Sequence, residues 1–352
     1  MDAITDRIRY ARTLAQAEHR LLRVRGGGTK DFFGAGLQGD ILDTSSLNGI
    51  TSYEPSELVV TVQAGTPLAD LEAALREKNQ CLPFEPPHFG STATLGGCVA
   101  AGLSGPRRAY TSAVRDSALG LRMLDGKGND LRFGGRVMKN VAGFDVSRLM
   151  TGSLGTLGVI LEVSLKVLPL PVAEATLQFE KNQDNTIAAV NAWAGLPLPI
   201  SATAWCNGKL SLRLSGASAA VDAAIRKLGG ERMDEGPAAR FWVGIREHDE
   251  PYFRTPLPLW RLSIKSTTAS MNLPGEQMME WGGALRWLKS DTEAATIRAA
   301  TQAAGGHATL FRGSDKNTGV FQPMSAAMLA LHHRLKDTFD PMHIFNPGRL
   351  LG

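Results

Sequence analysis

Cysteine is scarce in this chain of 352 residues: Cys81, Cys98 and Cys206 are the three, far apart and without Cys-x-x-Cys spacing. That set excludes an iron–sulfur cluster or a structural thiolate zinc site built by this chain alone, and no metal site is expected. An odd, sparse count also argues against a secreted disulfide framework and points to a reducing compartment. Long apolar runs are missing too. The most hydrophobic stretch, residues 158–172, contains Glu162 and Lys166 and ends at Pro169 and Pro171, so it is unfit to span a bilayer. Asp2 and Asp6 stand where a secretory leader would begin its apolar segment. A cytoplasmic protein with no transmembrane segment is expected, peripheral attachment to a membrane through a partner being left open. Charge of one sign is lacking as well. Lys+Arg 38 against Asp+Glu 34 leaves +4, and the basic residues are scattered, with Arg107 and Arg108 among the few adjacent pairs. A pI near 9.0 is therefore weak evidence for nucleic acid, and no such partner is expected.

What the chain has in excess is glycine, 38 of 352 residues, against a typical usage of about 7%. The length suggests two domains. Ile4, Ile8, Ala11 and Ala15 recur at helical spacing. Strands are expected at residues 21–24, 40–43 and 57–63. Thr66 is placed to cap a helix with Pro67 at its first position and Leu68, Leu71 and Leu75 on its buried stripe. Residues 119–124 and 130–133 flank Asp125-Gly126-Lys127-Gly128, a hairpin signal. Further on, Leu161, Val163, Leu165 and Val167 alternate with Glu162, Ser164 and Lys166, the period of a half-buried strand. The prolines after it mark a boundary near residue 171. Beyond lies a β-α-β-β-α texture with an Asn207-Gly208 turn, then a strand at 259–265, a helix at 293–304 and a strand at 307–311. A last helix, with Met328, Leu331 and Leu335 on one face, leads to a tail containing Phe345-Asn346-Pro347-Gly348. The class is α+β, with residues 1–171 as one domain, 172–322 as a second, smaller sheet domain, and 323–352 returning to the first.

Among the glycine clusters, Gly34-Ala35-Gly36-Leu37-Gln38-Gly39 matches the dinucleotide fingerprint by letters alone. That fingerprint must open a helix whose N-terminus faces a pyrophosphate. Here a strand comes next, so the match is a decoy and a nicotinamide dehydrogenase has no other support. Arg25-Gly26-Gly27-Gly28-Thr29, after a strand, differs, because consecutive glycines can turn successive N–H groups into one concave anion nest. A flexible hairpin turn is the plain alternative. Residues Gly90, Ser91, Thr94, Leu95, Gly96 and Gly97 fall in a second small-residue wall. The run Gly152-Ser153-Leu154-Gly155-Thr156-Leu157-Gly158 makes a third. Three backbone-accessible loops in one domain suggest a long cofactor threaded between them.

In order along the chain, these segments resemble the FAD-binding domain of the vanillyl-alcohol oxidase/p-cresol methylhydroxylase flavoprotein family. The resemblance rests on Arg25-Gly26-Gly27-Gly28-Thr29, on Thr94-Leu95-Gly96-Gly97, and on Arg108-Ala109-Tyr110 through Arg115-Asp116 to Leu119-Gly120. It continues with Lys139-Asn140-Val141-Ala142-Gly143-Phe144-Asp145, with the run from Gly152 to Gly158, and with Phe345-Asn346-Pro347-Gly348-Arg349. Within that family the short chain, the run from Lys139 to Asp145 and the compact second domain are most similar to the FAD-binding subunits of glycolate oxidases. The resemblance implies a two-subdomain FAD-binding domain with a smaller α+β sheet cap. It implies that Arg25 to Thr29 and the 90–97 wall hold the pyrophosphate through backbone N–H groups. Tyr110, Asp116 and Gly155 would belong to the same FAD site. Gly158, Val159 and Ile160 would run beside the adenine and ring system, and Asn346 would approach the isoalloxazine. Relatives that attach the flavin covalently carry a histidine beside the nest; Thr29 stands there, so non-covalent FAD is expected.

Oxidising a 2-hydroxy acid on a flavin needs a base for the hydroxyl proton and cations for the carboxylate. Catalytic relatives carry a histidine-rich motif in the second domain, which has no counterpart here. His307 stands alone, and His332 and His333 are adjacent, so they do not share a helical face. His88 is the best single candidate for a functional histidine, while Arg261 and Arg312 are carboxylate candidates whose plain reading is solvated strand charge. Catalytic residues therefore stay unassigned. The resemblance implies an FAD-binding subunit of a glycolate oxidase complex. Its partners would be a catalytic flavoprotein subunit and an iron–sulfur subunit, with electrons from a small 2-hydroxy acid leaving to a non-oxygen acceptor. The alternatives are a stand-alone FAD-dependent dehydrogenase of another hydroxy acid and a flavin-free binding module.

Overall fold

A computed structural model describes residues 2–18, 20–135, 145–313, 315–316 and 318–351. Of the resembling motifs, residues 139–144 lie outside them. The chain divides into two compact units: Met1–Leu103 with Ala113–Pro169 and Pro323–Gly352, and Ser104–Ser112 with Leu170–Gln322. The residues Ser104–Ser112, expected within the first domain, go to the second unit.

In the first unit, the amphipathic helix α1 (Asp2–Ala17) buries Ile8 and Ala15, each 1% exposed. Strands β1 (Leu22–Arg25) and β2 (Asp40–Asp43) pair in parallel. The Gly34–Gly39 match thus leads into a strand, as expected of a decoy. An antiparallel five-stranded sheet comes next, in the order β3-β4-β8-β6-β7. Its strands are β3 (Ile50–Glu54), β4 (Val59–Gln63), β6 (Ala118–Leu124), β7 (Asp130–Gly134) and β8 (Val159–Lys166). A short pair, β5 (Gln80–Cys81) and β9 (Leu168–Pro169), closes this part. Helix α2 (Leu68–Glu77) buries Leu68, Leu71 and Leu75 completely. Thr66 does not cap it: its hydroxyl accepts from the Gly49 N–H at 2.9 Å, and Pro67 takes the cap position. Short helices α3 (Leu95–Ala101), α4 (Val114–Ser117) and α5 (Val146–Met150) fill the connections.

Strand β8 serves two apolar clusters. Val159 and Leu161 join Ile8, Leu22, Leu42 and Phe345, whereas Ile160, Val163 and Leu165 join the helices α2 and α3. Ser164 is buried rather than outward because its hydroxyl meets that of Thr61 at 2.9 Å.

The second unit is an antiparallel eight-stranded sheet in the order β13-β10-β12-β11-β15-β16-β14-β17. Its elements run β10 (Ala173–Glu180), α6 (Gln183–Ala194), β11 (Ile200–Cys206), β12 (Lys209–Gly216), α7 (Ser218–Leu228), β13 (Glu231–Arg232) and α8 (Glu235–Glu247). They continue with β14 (Leu259–Ser263), β15 (Glu276–Glu280), β16 (Leu285–Lys289), α9 (Ala294–Ala303) and β17 (His307–Arg312). Asn207 and Gly208, both at positive φ, make the tight β11–β12 hairpin. Helix α10 (Ala326–Phe339) returns the chain to the first unit. Of the three residues expected to share one face of it, Met328 and Leu331 are 47% and 43% exposed and Leu335 is half-buried. The helix docks through its last turns, with Lys336 buried and Phe339 packed on the core edge-to-face with Phe133.

Candidate functional site

Strand β1 delivers its C-terminal end, Arg25, into the glycine run. Gly28 sits at φ +73°, and a side chain on it would strike the Arg25 guanidinium, whose Nε donates to Asp31 at 3.0 Å. Gly27 lies so close to the loop opposite that a Cβ would overlap the Thr92 carbonyl oxygen. The approach is locked, since Thr92 Oγ1 donates to the Gly27 carbonyl at 2.8 Å and Thr29 Oγ1 to the His88 carbonyl at 2.7 Å. Gly90 packs on the Thr29 methyl, and Gly26 faces the Thr94 hydroxyl. Two of the three expected loops are thus sewn together along residues 26–29 and 88–94.

The amides are the informative part. Among the described residues, the N–H groups of Gly26, Gly27, Gly28 and Thr29 meet no acceptor within the protein, although all four residues are half-buried. Partly desolvated backbone donors ordinarily find partners, and four in sequence on a glycine turn form a nest for an anion. A pyrophosphate fits this donor set. The cavity at this place is lined by residues 24–31 together with Thr94, Gly97, Leu154, Asn346 and Arg349.

Other expected residues differ. The amides of Leu95, Gly96 and Gly97 are already bonded: the first two to Thr66 O and Ala64 O in the turn before α2, the third to Oγ1 of Thr94, which caps helix α3. From this stretch the site receives the Thr94 and Gly97 surfaces rather than free N–H donors. Ser91 is exposed and outside the cavity lining, as is Asp116 on α4. Gly158 approaches Met123 and Leu124, and the side chains of Val159 and Ile160 are spent in the two apolar clusters, so only their backbone is left to meet a ligand. Tyr110 belongs to the second unit, its hydroxyl 3.3 Å from Thr203 Oγ1.

Asn346, at φ +41° and 8% exposed, accepts from Val24 N–H at 2.8 Å and donates to Leu154 O at 2.6 Å. It ties β1, the third glycine run and the tail together, and Gly155 passes beneath its amide. Arg349 locks the tail onto the carbonyls of Lys30, Asp31 and Ala35, and burial brings its guanidinium down to about 10. Within the tail motif the sequence alone assigns Arg349 no role, although a cation directly after Asn-Pro-Gly is the signal for one. Lys30, which the sequence likewise leaves unassigned, reaches the His88 carbonyl at 3.2 Å. His88 itself pairs with Glu72 at 3.3 Å. A second cavity of about 470 Å3 lies between residues 149–157 and α10, lined also by His332, His333 and Asn346. Cys98 is fully buried and its thiol is pushed up to about 12 by desolvation, which makes it unreactive. No helix among the described residues is long and apolar enough to cross a membrane.

Residues 4–134 match the family model described as FAD binding domain. The chain is 47% identical to glycolate oxidase subunit GlcE of Escherichia coli (strain K12) over 329 residues, covering 94% of this chain and 92% of that protein. It is 34% identical to glycolate oxidase subunit GlcD of Bacillus subtilis (strain 168) over 176 residues, 49% of this chain but 37% of that one. Alkyldihydroxyacetonephosphate synthase shares the fold, with a TM-score of 0.67 at 16% identity over 97% of this chain and 75% of that chain. With near-complete coverage of one relative and an FAD binding domain at its N-terminal end, the chain belongs to the glycolate oxidase subunit GlcE family of vanillyl-alcohol oxidase/p-cresol methylhydroxylase-type flavoproteins.

Proposed function

We propose that this chain is the FAD-carrying GlcE-type subunit of a glycolate oxidase complex, taking part in electron transfer from a 2-hydroxy acid to a non-oxygen acceptor. The observation that carries the reading is the row of four acceptor-less amides at Gly26, Gly27, Gly28 and Thr29 in a domain of FAD-binding type. Bound there, FAD supplies the two-electron acceptor for the hydrogen at the alcohol carbon. The chain's own residues bind and orient: the nest holds the pyrophosphate, Thr94 and Gly97 wall it, and Asn346 fixes the tail beside it. The backbone at Gly158, Val159 and Ile160 is the proposed flank for the rest of the cofactor, with Gly155 making room for Asn346. No histidine adjoins the nest at position 29, and the Thr29 hydroxyl is engaged with the His88 carbonyl, so the flavin is held non-covalently.

The partners are a catalytic flavoprotein subunit of GlcD type and an iron–sulfur subunit, since three scattered cysteines, one of them inert, leave no cluster to this chain. The complex lies in the cytoplasm, at the inner face of the membrane when its partners hold it there.

The test is the visible spectrum of the purified chain before and after acid precipitation, then affinity capture from the source cell. Yellow protein that yields a yellow supernatant, and capture of two further subunits, are expected. A colourless chain that takes up no FAD overturns the flavoprotein reading. Colour retained in the pellet overturns non-covalent binding. Full glycolate turnover by the isolated monomer favours the stand-alone dehydrogenase.

A further inference from the structure

The second unit carries a cationic cluster that the flavin reading does not use. The indole of Trp281 lies against two guanidinium groups, Arg108 at 4.5 Å and Arg261 at 5.2 Å from the ring centroid. The Trp281 platform is held by two hydrogen bonds. Its Nε1 donates to Gly105 O at 3.0 Å, and the N–H of Gly282 donates to Thr203 Oγ1 at 2.8 Å. Trp281, at φ +54°, opens a left-handed run through Gly282 and Gly283. A bulky residue in that region is strained, and such strain gathers where a side chain must be aimed.

Arg261 is the odd member. It sits half-buried on β14 and, among the described residues, makes no hydrogen bond or ion pair with its guanidinium. A guanidinium has five donors in a fixed fork, and a partly desolvated one without an oxygen partner is costly. Its surroundings add positive field. Burial and the proximity of Arg108 draw its own pKa down to about 10; burial first, and then the charge of Arg261, lowers His307, and burial, then Arg312 and Arg261, lowers His248. Glu280, whose charge partly offsets the lowering at Arg261, is buried and accepts from Trp287 Nε1 at 2.7 Å.

We propose that Arg261 and Arg108, on the Trp281 platform, form a binding site for the carboxylate of a small hydroxy or oxo acid. The fork of Arg261 matches the two carboxylate oxygens, the indole fixes both cations, and the absence of an ion pair keeps that fork available. The ligand class rests on the proposed function; the location of the site does not.

The test is equilibrium dialysis of labelled glycolate against the full-length chain, with flavin content measured on the same samples. Saturable binding is expected, displaced by glyoxylate but not by glycolamide or inorganic phosphate. Arg261→Gln is expected to weaken it at least about tenfold, as for loss of a charged hydrogen-bond pair, with flavin content and near-ultraviolet circular dichroism unchanged. Should Arg261→Gln fail to fold, exposed Arg108→Gln is the second variant and is expected to weaken binding severalfold. Wild-type affinity in the folded variants overturns the site, and displacement by phosphate overturns the carboxylate assignment. Arginine-dependent binding by a flavin-free chain upholds the site while the flavoprotein reading fails; flavin without such binding does the reverse.

Discussion

A β-branched side chain at position 27 has nowhere to go, because a Cβ there falls on the Thr92 carbonyl, which belongs to backbone and cannot rotate away. Gly27→Val therefore pushes the nest off the 90–94 loop and scatters the four amides. The expected outcome is protein with normal far-ultraviolet circular dichroism that carries less than a tenth of the wild-type flavin by visible absorbance. Gly36→Ala is the matched control: nothing lies within 4 Å of a Cβ at that position, so flavin content stays at the wild-type level. The nest and the decoy at Gly34–Gly39 are separable in the sequence, because the decoy runs into a strand where a nucleotide fingerprint needs a helix. Roles hidden in backbone bonding are not legible in that way. Leu95, Gly96 and Gly97 read as donors to a ligand, yet their N–H groups are bonded inside the unit. Asn346 reads as a ligand contact, whereas its amide spans two backbone segments more than 190 positions away in the chain.

Among the elements, α10 reverses the usual arrangement of an amphipathic helix. Leu329 and Leu331 face outward, and its one buried side chain, among the described residues, is a lysine. Lys336 Nζ donates to Asp340 Oδ2 and Thr156 O, both at 2.6 Å, and to Phe345 O at 2.9 Å, while Asp340 also accepts from the Phe345 N–H at 2.8 Å. Burial holds the Lys336 pKa below its ordinary value. Lys336→Met leaves the Asp340 carboxylate buried without its cation, a change expected to cost about 3–5 kcal/mol in urea unfolding. Adding Asp340→Leu should recover part of that loss, and a double-mutant cycle measures how much. Apolar spacing announced this helix but not the burial of Lys336, and a related limit hid β15 and β16. Their sequences, Glu-Gln-Met-Met-Glu and Leu-Arg-Trp-Leu-Lys, lack β-branched residues. Helix α8 ends at His248, which stacks on Phe253 at 3.9 Å. Burial, then the charges of Arg312 and Arg261, holds its pKa well below 6.5. The unfolded chain therefore takes up this proton first, so stability is complete above about pH 6.5 and declines as pH falls below it. His248→Asn, tolerated at the left-handed cap position, is expected to flatten the decline in melting temperature between about pH 7 and pH 5.

At the scale of the whole molecule, the first unit is discontinuous. Phe345 lies beside Leu22, Asn346 bonds to Val24, and Arg349 to the loop after the nest, so 322 positions of sequence separate Val24 from its partner at the proposed cofactor site. A chain stopped after Gln322 is expected to bind no flavin and to lose its first unit rapidly in limited proteolysis, while the sheet of residues 173–312 persists as a resistant fragment. The two-unit plan is legible in the prolines at 169 and 171 and in the motif of the tail. The transfer of Ser104–Ser112 to the second unit is not, because it depends on packing of Pro106–Ala109 against β11 rather than on any local signal. The late position of Asn346 also sets an order of events on the ribosome. The nest emerges early in translation, but the residues that brace it are made only after the entire second unit has been synthesised. Capture of the cofactor is therefore expected only after the second unit has been synthesised, and a nascent chain must keep Leu22 and its apolar neighbours from misassociating until then.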